Sequence, residues 1–425
     1  MTLKEINANI TSYIKVFTKV KSKVFSKFLR DAIKGILLSK SVSVADMARS
    51  LEPTSPTVAR YIYKRLDRNL GEHDVSLVKE RVQAMQIGLL DEETFIYFDP
   101  TDVVKKYGAE FEAIAPVADG SDERKIKLGY HVNACVGLKG NEIIPLEFNL
   151  YSSAEESFDS ENQEWLYPID NIIHRSKRCG VFVMDRGFDR FAIIRHLQEL
   201  SVKFIIRMKE NRHYMPIGLD CRSYKRQEII EHFSTVRTKA LIDVRRKKKL
   251  VKKLFTISAA PVSLLEKIDS DKPLTLVCAK SANLMTLYFL TNLEEINPES
   301  LANILEAYLN RWKVEEFIRF VKQEYKLEDF KVRTIVRIKN LFCLLFIALV
   351  VLTRVSELDT TFSKVKAMLI KYSKRVFKIP QKMRFFLYTL ADGLSEVLKK
   401  ITKPLLQLWA PQHKYQLSLN FGDKL

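Results

Sequence analysis

Between residues 94 and 208 the order of elements readable in the chain admits few folds. Thr94 to Phe98 reads as a strand, and Lys127–Val136 and Glu142–Leu150 as two more around the turn-rich Gly137-Leu138-Lys139-Gly140-Asn141. Val181–Met184 reads as a short buried strand, Arg190–Leu200 as a helix and Val202–Met208 as another strand. Three strands joined by hairpins, then strand, helix and strand, build an α/β mixed sheet if a later helix returns to cover it. Pro298 to Lys322 carries the periodicity of that helix.

Such a core is of the ribonuclease H-like kind and leaves the rest of the chain in three parts. Residues 1–85 read as a helical DNA-binding domain, 86–212 with 293–355 as the catalytic core, 213–292 as a β-rich insertion, and 356–425 as a basic helical C-terminal region. Within the first part, Ser43–Leu51 and a helix opened by Ser55-Pro56-Thr57 have the look of a helix-turn-helix, with Arg60, Lys64 and Arg65 on the polar side of the second helix. Helical hairpins without interest in DNA share this pattern, so packing alone explains it equally well. The insertion contains strand-like runs at Leu254–Ala259, Thr275–Cys278 and Thr286–Leu290, and the basic run Arg245–Lys249, readable as a solvated loop or a DNA-backbone contact.

Charge and cysteines narrow the setting. Lys and Arg outnumber Asp and Glu by 70 to 51, a formal charge of +19, so polyanions are attracted and nucleic acid is the first partner to consider. Five cysteines with no CxxC pair signal neither a disulfide framework nor a zinc site and fit a reducing, cytoplasmic setting. The apolar run Leu341–Leu352, about 18 Å long as a helix against about 30 Å of hydrocarbon, reads as a buried core helix rather than a membrane span. The Lys-rich start lacks the pattern of a secretory signal.

Asp99 follows Phe95-Ile96-Tyr97-Phe98 and Asp185 follows Val181-Phe182-Val183-Met184, so each stands at the carboxyl end of an apolar strand, where α/β sheets bind ligands. Alternation puts Asp99 with Phe95 and Tyr97, and Asp185 with Val181 and Val183, so both can leave one face of the sheet. Either alone reads as well as a turn-capping residue. Tyr308, Arg311, Glu315 and Lys322 fall within an arc of roughly 60° on a regular helix, while Val314, Phe317, Ile318 and Val321 form a packing face. Trp312 is expected in the core, Asp189 and Glu316 at the surface or behind the ligands, Asp102 bonding its own turn, and His131 in a structural role.

Tyr308-x2-Arg311-x3-Glu315-x6-Lys322 matches the YREK signature, and the chain resembles the insertion sequence four family of DDE transposases. Phe98-Asp99-Pro100-Thr101-Asp102, Lys127-Leu128-Gly129-Tyr130-His131, Met184-Asp185-Arg186-Gly187-Phe188-Asp189 and Phe289-Leu290-Thr291-Asn292-Leu293 are similar to segments of that family, over about residues 94 to 350. The resemblance implies that Asp99, Asp185 and Glu315 are catalytic and hold two Mg2+ ions, for which Mn2+ can substitute, with Asp99 bridging them. It implies that Tyr308, Arg311 and Lys322 hold DNA phosphates. It also implies cleavage of double-stranded DNA at terminal inverted repeats, hairpin ends, transfer into target DNA, and a homodimer on DNA. The competing expectations are an inactive DNA-binding repressor, a metal nuclease that does not join, and a transcription regulator for which the acids are dispensable.

Overall fold

The computed structural model describes residues 11–12, 14–20, 22–118, 125–140, 142–217, 222–246, 249–264, 273–355, 362–375 and 385–407. The first ten residues, Asn141 of the hairpin, Cys221 of the five cysteines, and Lys247 and Lys248 of the basic run lie outside them.

The N-terminal region is helical: α1 (Lys23–Ser39), α2 (Val44–Leu51), α3 (Pro56–Glu72) and α4 (Ser76–Ile87). The start signals are those in the sequence. Ser43 Oγ accepts from Asp46 N and Ser55 Oγ from Val58 N, and Pro56 opens α3, where its missing N–H costs nothing. α4 is docked on the sheet by a buried pair: Lys79 Nζ bonds Glu147 on β4, and Gln83 Nε2 reaches the same carboxylate at 2.9 Å and Leu146 O at 2.8 Å. Two buried charges are tolerated there because each is answered by the other and by further hydrogen bonds.

The core strands follow: β1 (Phe95–Val104), β2 (Ala115–Ala118), β3 (Ile126–Lys139), β4 (Glu142–Tyr151), then α5 (Glu161–Ser176), β5 (Val181–Met184), α6 (Phe191–Glu199) and β6 (Lys203–Arg207). β4 pairs with β3 and β3 with β1, all antiparallel, while β1, β5 and β6 run parallel. The order β4-β3-β1-β5-β6 is the ribonuclease H-like mixed sheet expected from the sequence. The hairpin is tighter than its five turn residues suggested, with Lys139 paired to Glu142 and Gly140 at φ +59 making the reversal.

β7 (His213–Pro216), β8 (Tyr224–Lys225), α7 (Arg226–Phe233), β9 (Val236–Arg246), β10 (Lys249–Leu264), β11 (Leu274–Lys280) and β12 (Leu287–Thr291) come next. These strands do not form a separate sheet. β12 pairs antiparallel with β6 through Phe289–Arg207, Leu290–Ile206 and Thr291–Ile205, so the insertion continues the core sheet to twelve strands.

One face of the sheet is covered by α5, α6 and α7 over Ile96, Phe98, Phe182 and Met184. The other, bearing Tyr97, Val181, Val183 and Ile205, is covered by α8 (Pro298–Leu309), α9 (Trp312–Glu324) and α10 (Ile335–Val355). α10 is longer than its apolar run: Ile335–Arg354 is long and apolar enough to cross a membrane by length and composition. Its place is decided by packing instead, since Leu341–Leu352 is buried against β4, α1 and α4. α11 (Phe362–Tyr372) and α12 (Leu387–Gln407) complete the described chain, α12 packing on α1.

Candidate active site

β1 continues five residues beyond Asp99, so Asp99 is not at a strand end as the sequence implied. It is the first residue past the parallel ladder, which stops at Phe98–Met184, while pairing to β3 runs on to Val104–Gly129. Pro100 explains how the strand passes this point. The Thr94 carbonyl accepts from Val181 N on the β5 side, and by alternation the Pro100 nitrogen faces that same edge after β5 has ended, so no ladder bond is lost. Asp185 leaves β5 one residue after the same ladder. Tyr97, Val181 and Val183 lie in the core beneath α8 and α9, so both aspartates sit on the face those helices cover.

Pro298 to Lys322 is not one helix. Asn310 and Arg311 form a tight turn: Arg311 N donates to Tyr308 O at 3.0 Å, and Val314 N to Arg311 O at 3.0 Å, three-residue steps that separate α8 from α9. At such a step residues three apart lie nearly over one another, so the regular 100° stripe is only an approximation. The phenol of Tyr308, at the end of α8, donates to Asp185 Oδ1 at 3.1 Å and accepts from Arg207 Nη1 at 3.2 Å. Arg311, at the start of α9, places Nη1 3.5 Å from Asp99 Oδ2 and bonds Glu315 with Nη2.

The structure therefore gathers Asp99, Asp185, Glu315, Tyr308 and Arg311 at one place and adds Arg207, whose Nη1 is 3.8 Å from Asp185 Oδ1. Arg207 was not singled out in the sequence, although two-residue alternation from Ile205 puts it on the same sheet face. Lys322 lies farther along α9 in a cleft of about 920 Å³ that also takes in Glu315, Arg319 and Lys326. Arg60 and Lys64 are exposed on α3, and Arg65 is held by Asp31 at 2.5 Å; the structure does not bring these three to the cluster around Asp99 and Asp185.

Electrostatics single out Asp99. Burial, together with the like charges of Glu315 and Asp185, pushes its carboxyl up to about 7, with Arg311 opposing. Arg311 is held protonated against its own burial by Asp99, Glu315 and Asp185. Among the described residues no three His, Cys, Asp or Glu side chains stand as a ready-made metal cage. The donor set nonetheless fits a hard cation: Asp99 and Glu315 share the Arg311 guanidinium, Asp185 stands beside Arg207, and the carboxyl of Asp99 resists ionisation unless positive charge is supplied.

The neighbours divide. Asp102 bonds His131 Nδ1 at 2.8 Å across β1 and β3 rather than its own turn, which gives the His131 ring a side-chain partner. Asp189 is not a surface acid: it is 2% exposed and ties Arg212 Nε at 2.6 Å and Lys209 N at 2.7 Å. Trp312 is not in the core. It lines a 280 Å³ pocket with Asn310 and Lys313, and Arg245 stacks over its ring at 4.2 Å.

Residues 94–351 match the model of the transposase DDE domain, which spans more than half of the chain. This chain belongs to the DDE transposase family. No curated protein matches it by sequence. Two solved transposase assemblies align over most of its length with low similarity. The piggyBac transposase synaptic complex with hairpin DNA is 13% identical, covering 96% of this chain and 80% of that chain at a TM-score of 0.44. The Drosophila P element transposase strand transfer complex is 11% identical, covering 86% and 80% at a TM-score of 0.19.

Proposed function

We propose that this transposase uses Asp99, Asp185 and Glu315 to hold two divalent ions, Mg2+ or in its place Mn2+, and cuts double-stranded DNA at element ends before joining them to target DNA. The observation that carries the reading is that Asp99 and Asp185 leave adjacent parallel strands on the face covered by the helix of Glu315, with Arg311 between Asp99 and Glu315 and with Tyr308 and Arg207 on Asp185. Bound ions of this kind activate a water or 3′-hydroxyl and stabilise the leaving oxygen.

The chain's own groups supply position and charge. Tyr308 and Arg207 fix the carboxylate of Asp185 from one side, so its oxygens are aimed before a metal or phosphate arrives. Arg311 can exchange its carboxylate partners for a scissile-strand phosphate, which its planar fork suits, and Lys322 adds a point charge farther down the cleft. The YREK reading of Tyr308, Arg311, Glu315 and Lys322 makes hairpin ends the expected intermediate and a homodimer on two DNA ends the expected assembly. α2 and α3 then contact the terminal repeats, with Arg60 and Lys64 exposed on α3 for phosphates and Arg65 committed to Asp31. The site of action is the cytoplasm, on the chromosome.

The test is cleavage and strand transfer of a labelled element-end duplex with Mg2+, comparing the native enzyme with Glu315→Gln. The variant keeps the shape and should bind DNA while neither cutting nor joining. Equal activity in the two proteins removes Glu315 from the reaction. Cutting without joining by the native enzyme favours a nuclease, and DNA binding without either favours a repressor.

A further inference from the structure

The β9–β10 hairpin carries a face that the active site does not use. β9 and β10 pair over eleven residues, from Val236–Ala259 to Arg246–Lys249. On one side Ile242, Phe255 and Ile257 join the core, where Leu301, Ile304 and Leu305 of α8 also lie. Strand alternation then forces Arg237, Lys239, Leu241, Asp243 and Arg245 to the other side, and all five are exposed. The partners across the ladder on that side include Lys252 opposite Asp243 and Leu254 opposite Leu241. Leu241 is 59% exposed and Leu254 55%, so an apolar pair stands in the middle of a face with four cations and one acid.

From the register and charge of this ribbon we infer that its outer face is a DNA-docking surface, in addition to α3 and the carboxylate site. The inference rests on the transposase reading above. Side chains on one face of an antiparallel strand recur about every 6.8 Å, so Arg237 and Lys239 present a regular row of charge to a phosphate backbone, with Lys252 beside it. A two-stranded ribbon is narrow enough to enter the major groove, where Leu241 and Leu254 would meet apolar base edges such as thymine methyls. A second copy of the same face is a poor occupant, because it would set four cations against four. The ribbon also points DNA to the chemistry: Arg245 stacks on Trp312 and lies 3.8 Å from Glu316, next to Arg311 and Glu315.

The experiment measures affinity of the full-length protein for an element-end duplex and an unrelated duplex across a salt series, with the triple variant Arg237→Thr/Lys239→Thr/Lys252→Thr. These side chains are exposed and threonine suits a strand, so an unchanged thermal melt is the folding control. Each lost phosphate contact removes about 0.9 from the log–log salt slope, so the expected reduction is roughly 2 to 3. A reduction with the end duplex alone assigns the face to element ends; with both duplexes it assigns the face to DNA in general, target included. Leu241→Thr/Leu254→Thr should weaken binding several-fold with the slope intact. An unchanged slope in the triple variant, while the native protein binds and cuts, overturns this inference alone. If the leucine changes convert a dimer to a monomer without touching DNA affinity, the face is a protein interface and the inference is likewise overturned. Absence of DNA binding by the native protein overturns the transposase reading with it.

Discussion

Replacing Arg311 with Gln separates the electrostatics of this site from its packing. The guanidinium stands 3.5 Å from Asp99 and bonds Glu315. Opposite charges at such a range attract by about 4 kcal/mol at an effective dielectric constant near 20. The side chains of Asp99 and Glu315 are 21% and 45% exposed, which screens the interaction, so about 1 to 3 kcal/mol is the contribution expected of the ionised cluster. Asp99 ionises near 3.9 in an unfolded chain and at about 7 here, so between those values the folded protein holds the extra proton. Stability of the metal-free protein from this group is therefore greatest below pH 4, falls as pH rises to about 7, and is level above it. Arg311→Gln removes the charge that opposes the shift, so Asp99 titrates higher still and the fall continues past pH 7. At pH 5 Asp99 is protonated in both proteins, and the variant should lose no more than about 0.5 kcal/mol, the usual worth of a partly exposed helix pair. At pH 9 the half-buried Asp99 carboxylate has lost the cation beside it, and the deficit should reach about 1 to 3 kcal/mol. Chemical denaturation in chelator at the two pH values measures both, and saturating Mg2+ should shrink the deficit at pH 9. Deficits of equal size at pH 5 and pH 9 would refute the account of Arg311 as the counter-ion of Asp99.

Tyr308→Phe removes the hydroxyl that joins Asp185 to Arg207, a loss of about 1 to 1.5 kcal/mol. Cleavage should slow about tenfold with DNA affinity within twofold; an unchanged single-turnover rate denies Tyr308 its positioning role. A Cβ at Gly129 would stand 2.3 Å from Val103 O and 2.7 Å from Val117 Cγ2, where β1, β2 and β3 close together. Gly129→Ala should cost about 2 to 3 kcal/mol in denaturant unfolding, and a cost below 0.5 would mean that the strands move apart freely. Lys79→Met strands the Glu147 carboxylate in the core and should cost about 3 to 5 kcal/mol. The double variant Lys79→Met/Glu147→Gln should recover most of that, and a double variant as unstable as the single one contradicts the charge-based explanation.

What the sequence made legible was whatever periodicity and strand order encode. Alternation tied Asp99 to Tyr97 and Asp185 to Val181 and Val183 and allowed the two acids one face; the β1–β5 register, with Tyr97 opposite Val183, is what puts both on the side of α8 and α9. The same alternation, carried from Ile205, would have found Arg207. The break at Asn310 and Arg311 left no trace, because neither residue is a helix breaker and the apolar period resumes after them. Trp312 was misplaced because a large aromatic on a regular helix reads as core, whereas here it follows the tight turn, half-buried, with Arg245 over its ring. Nor could local pattern tell that β12 would pair with β6, since Phe289 and Arg207 meet only through the pairing of distant segments.

The arrangement of cations implies a coupling that none of the side chains would show alone. Three carboxylates gathered on one partly covered face repel one another, and the chain answers with Arg311 between Asp99 and Glu315 and Arg207 beside Asp185. Under the proposed function the same arginine is wanted by phosphate, so carboxylates and DNA compete for Arg311 until divalent ions take over the carboxylates. Metal should then raise DNA affinity, and DNA should raise metal affinity by the same factor, because linkage between two ligands is reciprocal. General screening by Mg2+ acts the other way, weakening phosphate contacts everywhere, so the comparison must be internal. The expected result is that Mg2+ strengthens binding of an element-end duplex to the native protein several-fold relative to its effect on Arg311→Gln. If Mg2+ shifts the affinity of both proteins equally, Arg311 does not link the two ligands, and its place among the carboxylates is structural.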